Sequence, residues 1–310
     1  MLRIKRRTIF FFLLPMLGTI AVINLWPIFY TLYLSTTNYS EFNSDSYHSI
    51  GLGNYQQLIF SLNSDLFPVL WQTFLYVVIC IVCFLVLGML TAQALNNPRV
   101  KGLPFWRIIL LLPWAAPSGI TALIWKFLFH YDFGPFNQIG RVFFGPKFGI
   151  PWLLNPTMAF ISVIVVNIWL TYPFFTIVIL GALQSIPSEL REAAHMDGAG
   201  PWHYFRRITL PLLTPALVPA TILSAITTFQ MFNTAYLITQ GGPVVSALKP
   251  GATEFVMVYM YNHILGATVA NPHYGFIAAF AITLFILLAA MTFMASGFGL
   301  GSRERREATA

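Results

Sequence analysis

Two groups of residues in this 310-residue chain have the types and spacing to do chemistry, and the chemistry is recognition, not bond cleavage. Asn167, Leu170, Thr171 and Phe174 fall at i, i+3, i+4 and i+7, and Ser224, Thr227, Thr228 and Met231 repeat that spacing, so each set shares one helical face. Amide and hydroxyl groups set among apolar surface suit a polyhydroxylated ligand, whose OH groups need partners and whose C–H faces need apolar contact. The same polar types in lipid-embedded helices also act as interhelical glue, contributing about 0.6 to 2 kcal/mol each, and residue type alone leaves both readings open. Gln230 and Asn233 lie off the Ser224 face and suit subunit packing.

The other group is the polar stretch Glu192-Ala-Ala-His-Met-Asp-Gly198, followed nine residues later by Ile208-Thr-Leu-Pro211. Pro187 and Ser188 suit a helix start, Leu190 with Ala193 and Ala194 gives helical apolar spacing, and Gly198 with Gly200 supplies backbone able to turn where a helix stops. Pro201 then suits the first turn of a second short helix carrying Trp202, Phe205 and Ile208, which should end where Pro211 opens the next apolar run. A glycine-cornered helix pair can dock into another protein or rest on lipid headgroups, as Arg206 and Arg207 would favour.

Catalytic and metal chemistry find no support. Cys80 and Cys83 lie inside an apolar run, the six histidines (His48, His130, His195, His203, His263, His273) show no i, i+4 pair, and no G-x-x-x-x-G-K-[ST] phosphate cradle occurs. The long apolar runs also lack the Asp, Glu and His that an intramembrane enzyme would converge. No cofactor is expected in this chain.

The elements that must position these groups are set by composition. Hydrophobic residues make up 57% and charged residues 9%, with mean hydropathy +0.72, the balance of a polytopic membrane protein. Six apolar runs are long enough to span, near 9–34, 67–95, 104–129, 158–183, 212–238 and 274–297, with Arg107 and Lys126 near the ends of the third snorkelling to the interface. Pro113 and Pro117, Pro173, and Pro215 with Pro219 should bend their spans, each deleting an intrahelical hydrogen bond.

Lys and Arg fall on alternate sides of these runs: Arg3, Lys5, Arg6, Arg7; Arg99, Lys101, Arg107; Arg191, Arg206, Arg207; Arg303, Arg305, Arg306, with only Lys126, Arg141, Lys147 and Lys249 elsewhere. Both termini and the Glu192 loop are therefore expected in the cytoplasm. The net charge of +7 is an orientation signal spread over short segments, not a nucleic-acid stripe. The apolar run after the basic start lacks a cleavage pattern and reads as an uncleaved span. The whole, residues 1–310, reads as a single membrane domain with an inside loop at about 185–211, and the Gly- and Pro-rich stretch Gln240–Thr253 reads as an outside loop.

E-A-A, three residues, G, nine residues, I-x-L-P resembles the cytoplasmic signature of permease subunits of binding-protein-dependent ABC importers. Pro27–Ser35, Gly53-Asn-Tyr55, Leu112–Pro117, Asn167–Pro173, Asp197–Pro201 and Gly241-Gly-Pro243 extend the likeness over nearly the whole chain, toward the sugar-importing branch and the first permease of maltose and maltodextrin systems. The resemblance implies an all-α, six-span, type I importer permease in a prokaryotic plasma membrane, the inner membrane of a Gram-negative cell. It implies that Glu192, Ala193, Ala194, Asp197 and Gly198 form a coupling helix seated on a separate ATPase subunit, where ATP and Mg2+ would bind. It also implies a second homologous permease, two ATPase subunits and an extracytoplasmic sugar-binding protein as partners.

The eight face residues align with substrate-contacting positions of maltose permeases, with departures. Phe174 stands for a tyrosine, Thr171 for a glycine, Thr227 for a phenylalanine, and Thr228 and Met231 for asparagines. Maltose, maltodextrin, trehalose and related glucosides all fit, as does a sensor without flux. Glycerol phosphate finds no basic residue on either face.

Overall fold

Long apolar runs have no choice but helix in lipid, because only intrachain hydrogen bonds can satisfy their backbone there. The computed structural model describes residues 6–61, 65–244, 250–265 and 273–307, with side chains described over 10–61, 65–244, 250–264 and 273–293. Arg3, Lys5 and Lys249, and the middle of the Gln240–Thr253 loop, lie outside the described residues, and the side chains of Arg303, Arg305 and Arg306 lie outside the described side chains. The helices are α1 (Arg6–Ile20), α2 (Trp26–Ser35), α3 (Gly53–Phe60), α4 (Leu66–Leu95), α5 (Leu103–Ala115), α6 (Ser118–Leu128) and α7 (Pro135–Phe144). They continue as α8 (Pro156–Gln184), α9 (Ser188–Met196), α10 (Pro201–Tyr204), α11 (Leu210–Phe229), α12 (Asn233–Thr239), α13 (Val256–Leu265) and α14 (Tyr274–Glu307).

Five helical runs are long and apolar enough to cross a membrane, and α5 with α6 makes a sixth if the bent pair is one span. The third span, expected from sequence to bend at its prolines, does so sharply: α5 and α6 meet at 96°. Pro117 has no N–H to continue the ladder and forces Ala116 into an extended conformation (ψ 134°), which ends α5. Pro173, Pro215 and Pro219 lie inside helices that continue past them.

Two prolines are absorbed in another way. The N–H of Trp26 reaches back five residues to Ala21 and that of Leu210 to Phe205, and each donor immediately precedes a proline, Pro27 and Pro211. A wide π-type turn just before the ring relieves its crowding of the carbonyl four residues back. The helix starting at Pro201 therefore does not stop at Pro211 as expected; it runs through the π turn into the fifth span.

The chain divides into two compact units, Met1–Leu66 with Met260–Ala290, and Phe67–Tyr259 with Met291–Ala310. In the first, Asn54 is buried and donates from Nδ2 to the carbonyls of Ser35 (2.9 Å) and Thr37 (2.7 Å), and the Ser35 and Tyr55 hydroxyls meet at 2.7 Å. Gly275 donates its N–H to Tyr39 O, and a Cβ there would fall 2.1 Å from Thr37 O, so only glycine permits the start of α14 to approach this loop.

In the second unit the core sits on α4 and α8. Tyr76, Phe84, Phe175, Ile179, Val163 and Val166 are buried side by side, and Tyr76 stacks on Phe255 at 4.2 Å. Gly88 lets the two helices close: a Cβ on it would lie 2.6 Å from Phe175 Cβ. One turn on, the Thr91 and Thr176 hydroxyls bond at 2.6 Å. Small residues at a crossing and a hydroxyl pair are how helices associate where lipid removes the hydrophobic drive. At the start of α13, Val256 N–H donates to Thr73, and Gln72 caps the carbonyls of Gly251 (3.1 Å) and Ala252, pinning the described part of the preceding loop to α4.

Candidate functional site

The two candidate faces sit on helices that touch, since α8 packs against α11 and α12. Asn155 caps α8, its Oδ1 accepting from the N–H groups of Thr157 (3.0 Å) and Met158 (3.1 Å), which fixes where the helix and its face begin. Within the first set, Asn167 is fully buried and donates from Nδ2 to Cys80 Sγ at 3.5 Å, while the Thr171 hydroxyl donates to Asn167 Oδ1 at 3.5 Å. Asn167 thus joins α8 to α4. Leu170 is buried as well, whereas Thr171 and Phe174 are half-buried, and Phe174 lies against Trp114 of α5 at 6.4 Å between ring centres.

The second set divides the same way. Ser224 and Thr228 are buried, Met231 is half-buried and Thr227 is exposed, with the Thr227 hydroxyl bonded back to Ser224 O. Met231 is not on the helical face that its spacing implies. α11 ends at Phe229, and Met231 sits in the break before α12, its N–H on Thr228 O at 3.1 Å. The spacing rule holds only along unbroken helix, and the fifth span, expected continuous over 212–238, is interrupted there.

Tyr76 is a member of this neighbourhood that sequence spacing did not single out. Its hydroxyl is buried on α4 one turn before Cys80 and has no hydrogen-bond partner among the described residues. A tyrosine inside an apolar run carries no periodic signal of its own, so only the packing reveals it.

The segment read from sequence as a coupling helix has the local shape that its residues spell. α9 ends where Asp197 N–H bonds to Ala193 O and Gly198 N–H to His195 O, and the Ala199 N–H reaches back to Ala194 O at 2.9 Å. That closure needs a left-handed residue, and Gly198 supplies it with φ +72°. Gly200 is extended, Pro201 starts α10, and Trp202 stacks on Phe205 at 5.8 Å. Of the five coupling residues only Ala194 is buried; Glu192, Ala193, Asp197 and Gly198 are exposed, beside Met196 at 88% and Trp202 at 71%. Among the described residues the exposed Glu192 carboxylate has no ion-pair or hydrogen-bond partner. The elbow is built by local bonds and leaves its outer face uncovered.

Residues 84–298, which include both faces and the elbow, match the family described as binding-protein-dependent transport system inner membrane component. The chain belongs to this family. Its members are transporter components, which agrees with the absence of enzyme-like motifs expected from sequence. The chain is 32% identical over 281 residues to the trehalose/maltose transport system permease protein MalF of Thermococcus litoralis, covering 90% of this chain and 89% of that one. It is 35% identical over 232 residues to the maltose/maltodextrin transport system permease protein MalF of Klebsiella aerogenes, covering 74% of this chain but 45% of the relative. The chain spans about half the length of the first curated relatives it matches. Its fold is that of a crystallised bacterial ABC transporter involved in the import of the acidic polysaccharide alginate, with TM-score 0.76, 20% identity and 94% of each chain covered.

Proposed function

We propose that this permease forms half of the passage of an ATP-driven sugar importer of a prokaryotic plasma membrane, and receives its mechanical input at the α9 elbow. The observation that carries the reading is the elbow itself. A short helix closed by its own backbone bonds at Gly198 is stiff, and its exposed Glu192, Met196 and Trp202 offer a charged and apolar surface for a cleft on an ATPase subunit. Two ATPase subunits, a second homologous permease and an extracytoplasmic binding protein complete the assembly. ATP and Mg2+ bind on the ATPases, whose closure pushes the elbow and shifts the spans between two access states.

The passage lies along the half-buried Thr171, Phe174 and Met231 and the exposed Thr227, with Asn167, Leu170, Ser224 and Thr228 behind them as packing and positioning groups. A hydroxyl pair, an aromatic ring and a thioether suit a di- or oligosaccharide, and the maltose and trehalose relatives support a glucoside. None of the eight positions carries a cation, which argues against glycerol phosphate. Reconstitution in liposomes with the partner subunits tests the proposal. ATP-dependent accumulation of maltose or trehalose is expected; binding-protein docking without flux would make the chain a sensor instead.

A further inference from the structure

Between α6 and α8 the chain carries an element that neither the passage nor the elbow uses. α7 is ten residues, Pro135–Phe144, and its polar side chains are all turned back onto the chain's own backbone. Asn137, fully buried, donates to Tyr131 O and Ile150 O and accepts from Ile150 N–H and Trp152 Nε1. Gln138 donates to Asp132 O, and the Arg141 guanidinium donates to the carbonyls of Phe148, Asp132 and Tyr131. What remains outward is Ile139 (57% exposed), Val142 (81%), Phe143 (76%) and Phe144 (76%), beside Gln138, whose amide is engaged by Asp132 O.

We propose that α7 is an interfacial anchor whose Ile139–Val142–Phe143 face sits in the headgroup–acyl boundary of the leaflet opposite the coupling elbow. The side follows from topology, because α7 precedes α8 and α9 follows it, and α8 crosses the membrane. Depth follows from the tether. The six residues between α6 and α7 would reach about 20 Å if extended, but they are folded into turns, with His130 N–H on Phe127 O and Gly134 N–H on His130 O. Phe136 of α7 then packs on Phe129 at 5.4 Å and Trp125 at 5.9 Å, and Trp125 meets Trp169 of α8 at 5.8 Å. The helix also packs Phe136 on Trp152 at 6.3 Å, four residues before α8 begins, so it rests on the end of α6 and the entry to α8, within the polar layer that adds roughly 5 to 7 Å to each side of the hydrocarbon.

Lipid is the occupant that the chemistry favours. A protein interface carries about one hydrogen bond per 100 to 200 Å2 and needs polar groups to make them, whereas acyl chains ask for none. The exposed apolar surface of the last turns of α6, Ile124 and Phe127, also continues outward through the Phe127–Phe133 ring contact at 6.1 Å. An amphipathic helix with its apolar face buried about 5 to 10 Å into the boundary is the expected arrangement.

The test replaces Val142 or Phe143 with the photoreactive residue p-benzoylphenylalanine in the full chain, in the membranes of the cells that make it. Irradiation and intact-mass measurement should show a gain of one phospholipid at both positions. A crosslink to a second polypeptide, or an unmodified chain from a site open to water, would overturn the proposal. Neither substitution removes a buried group, so a folding defect does not stand in the way, and the result does not depend on which solute the permease carries.

Discussion

Gly88 is where one added carbon should cost most. In Gly88→Ala the new Cβ would lie 2.6 Å from Phe175 Cβ, 3.1 Å from Phe175 C and 3.2 Å from Thr176 N, none of which can rotate away. Ordinary carbon contacts are about 3.5 to 4.0 Å, so α4 and α8 must part by roughly 1 Å. Overpacking of this kind costs about 1 to 3 kcal/mol. The Thr91–Thr176 bond one turn away, made at 2.6 Å, stretches with it and forfeits about 0.6 to 2 kcal/mol. The sum, about 2 to 5 kcal/mol, should lower the melting temperature of the detergent-solubilised protein by on the order of 10 °C, read by size-exclusion chromatography after heating. Gly181→Ala on the same α8 is the control, because no atom lies within 4 Å of its added Cβ, and it should hold or raise stability. Equal melting of Gly88→Ala, Gly181→Ala and the parent would refute the close crossing.

Other expectations follow from the same geometry. Glu192→Ala and Gly198→Asp should leave the protein folded, since Glu192 is exposed and Asp tolerates the left-handed conformation of Gly198, yet ATP hydrolysis in the assembled transporter should no longer drive uptake; normal uptake in both would sever the elbow from coupling. Asn167→Leu should change stability more than the KM for sugar uptake, because Asn167 is buried against Cys80, whereas Thr171→Ala should raise KM at unchanged expression. The reverse pattern in uptake assays would put Asn167 in the passage. Asn137→Ala removes four hydrogen bonds at a fully buried site, at about 1 kcal/mol or more each, and should expose the 129–155 loop to protease at least tenfold faster.

Much of this protein is legible in the order of its residues. Spans near 9–34, 67–95, 158–183 and 274–297 coincide with helices because a run of uncharged residues in lipid has only one way to satisfy its backbone. The elbow was legible too, since Ser188, Gly198 and Pro201 act through local backbone geometry that needs no distant partner. The bend of the third span was legible in Pro117, but its size was not, because a proline marks where the ladder breaks and only the packing of α6 sets the 96° angle. Met231 left its expected face because spacing assumes an unbroken helix, and α11 stops two residues before it.

Composition and local pattern by themselves determined the solvent, the helical class, the spans and the glycine elbow, because each depends on neighbours in sequence. Only the tertiary structure decided that Asn167 turns to Cys80, that Gly88 admits Phe175, that the buried Tyr76 hydroxyl has no partner among the described residues, and that α7 packs on Phe129 and Trp152 with Asn137 and Arg141 bonded to the chain's own backbone. Each of those joins residues far apart in the chain, and which side of a helix meets another is fixed by shape and packing that no single stretch encodes.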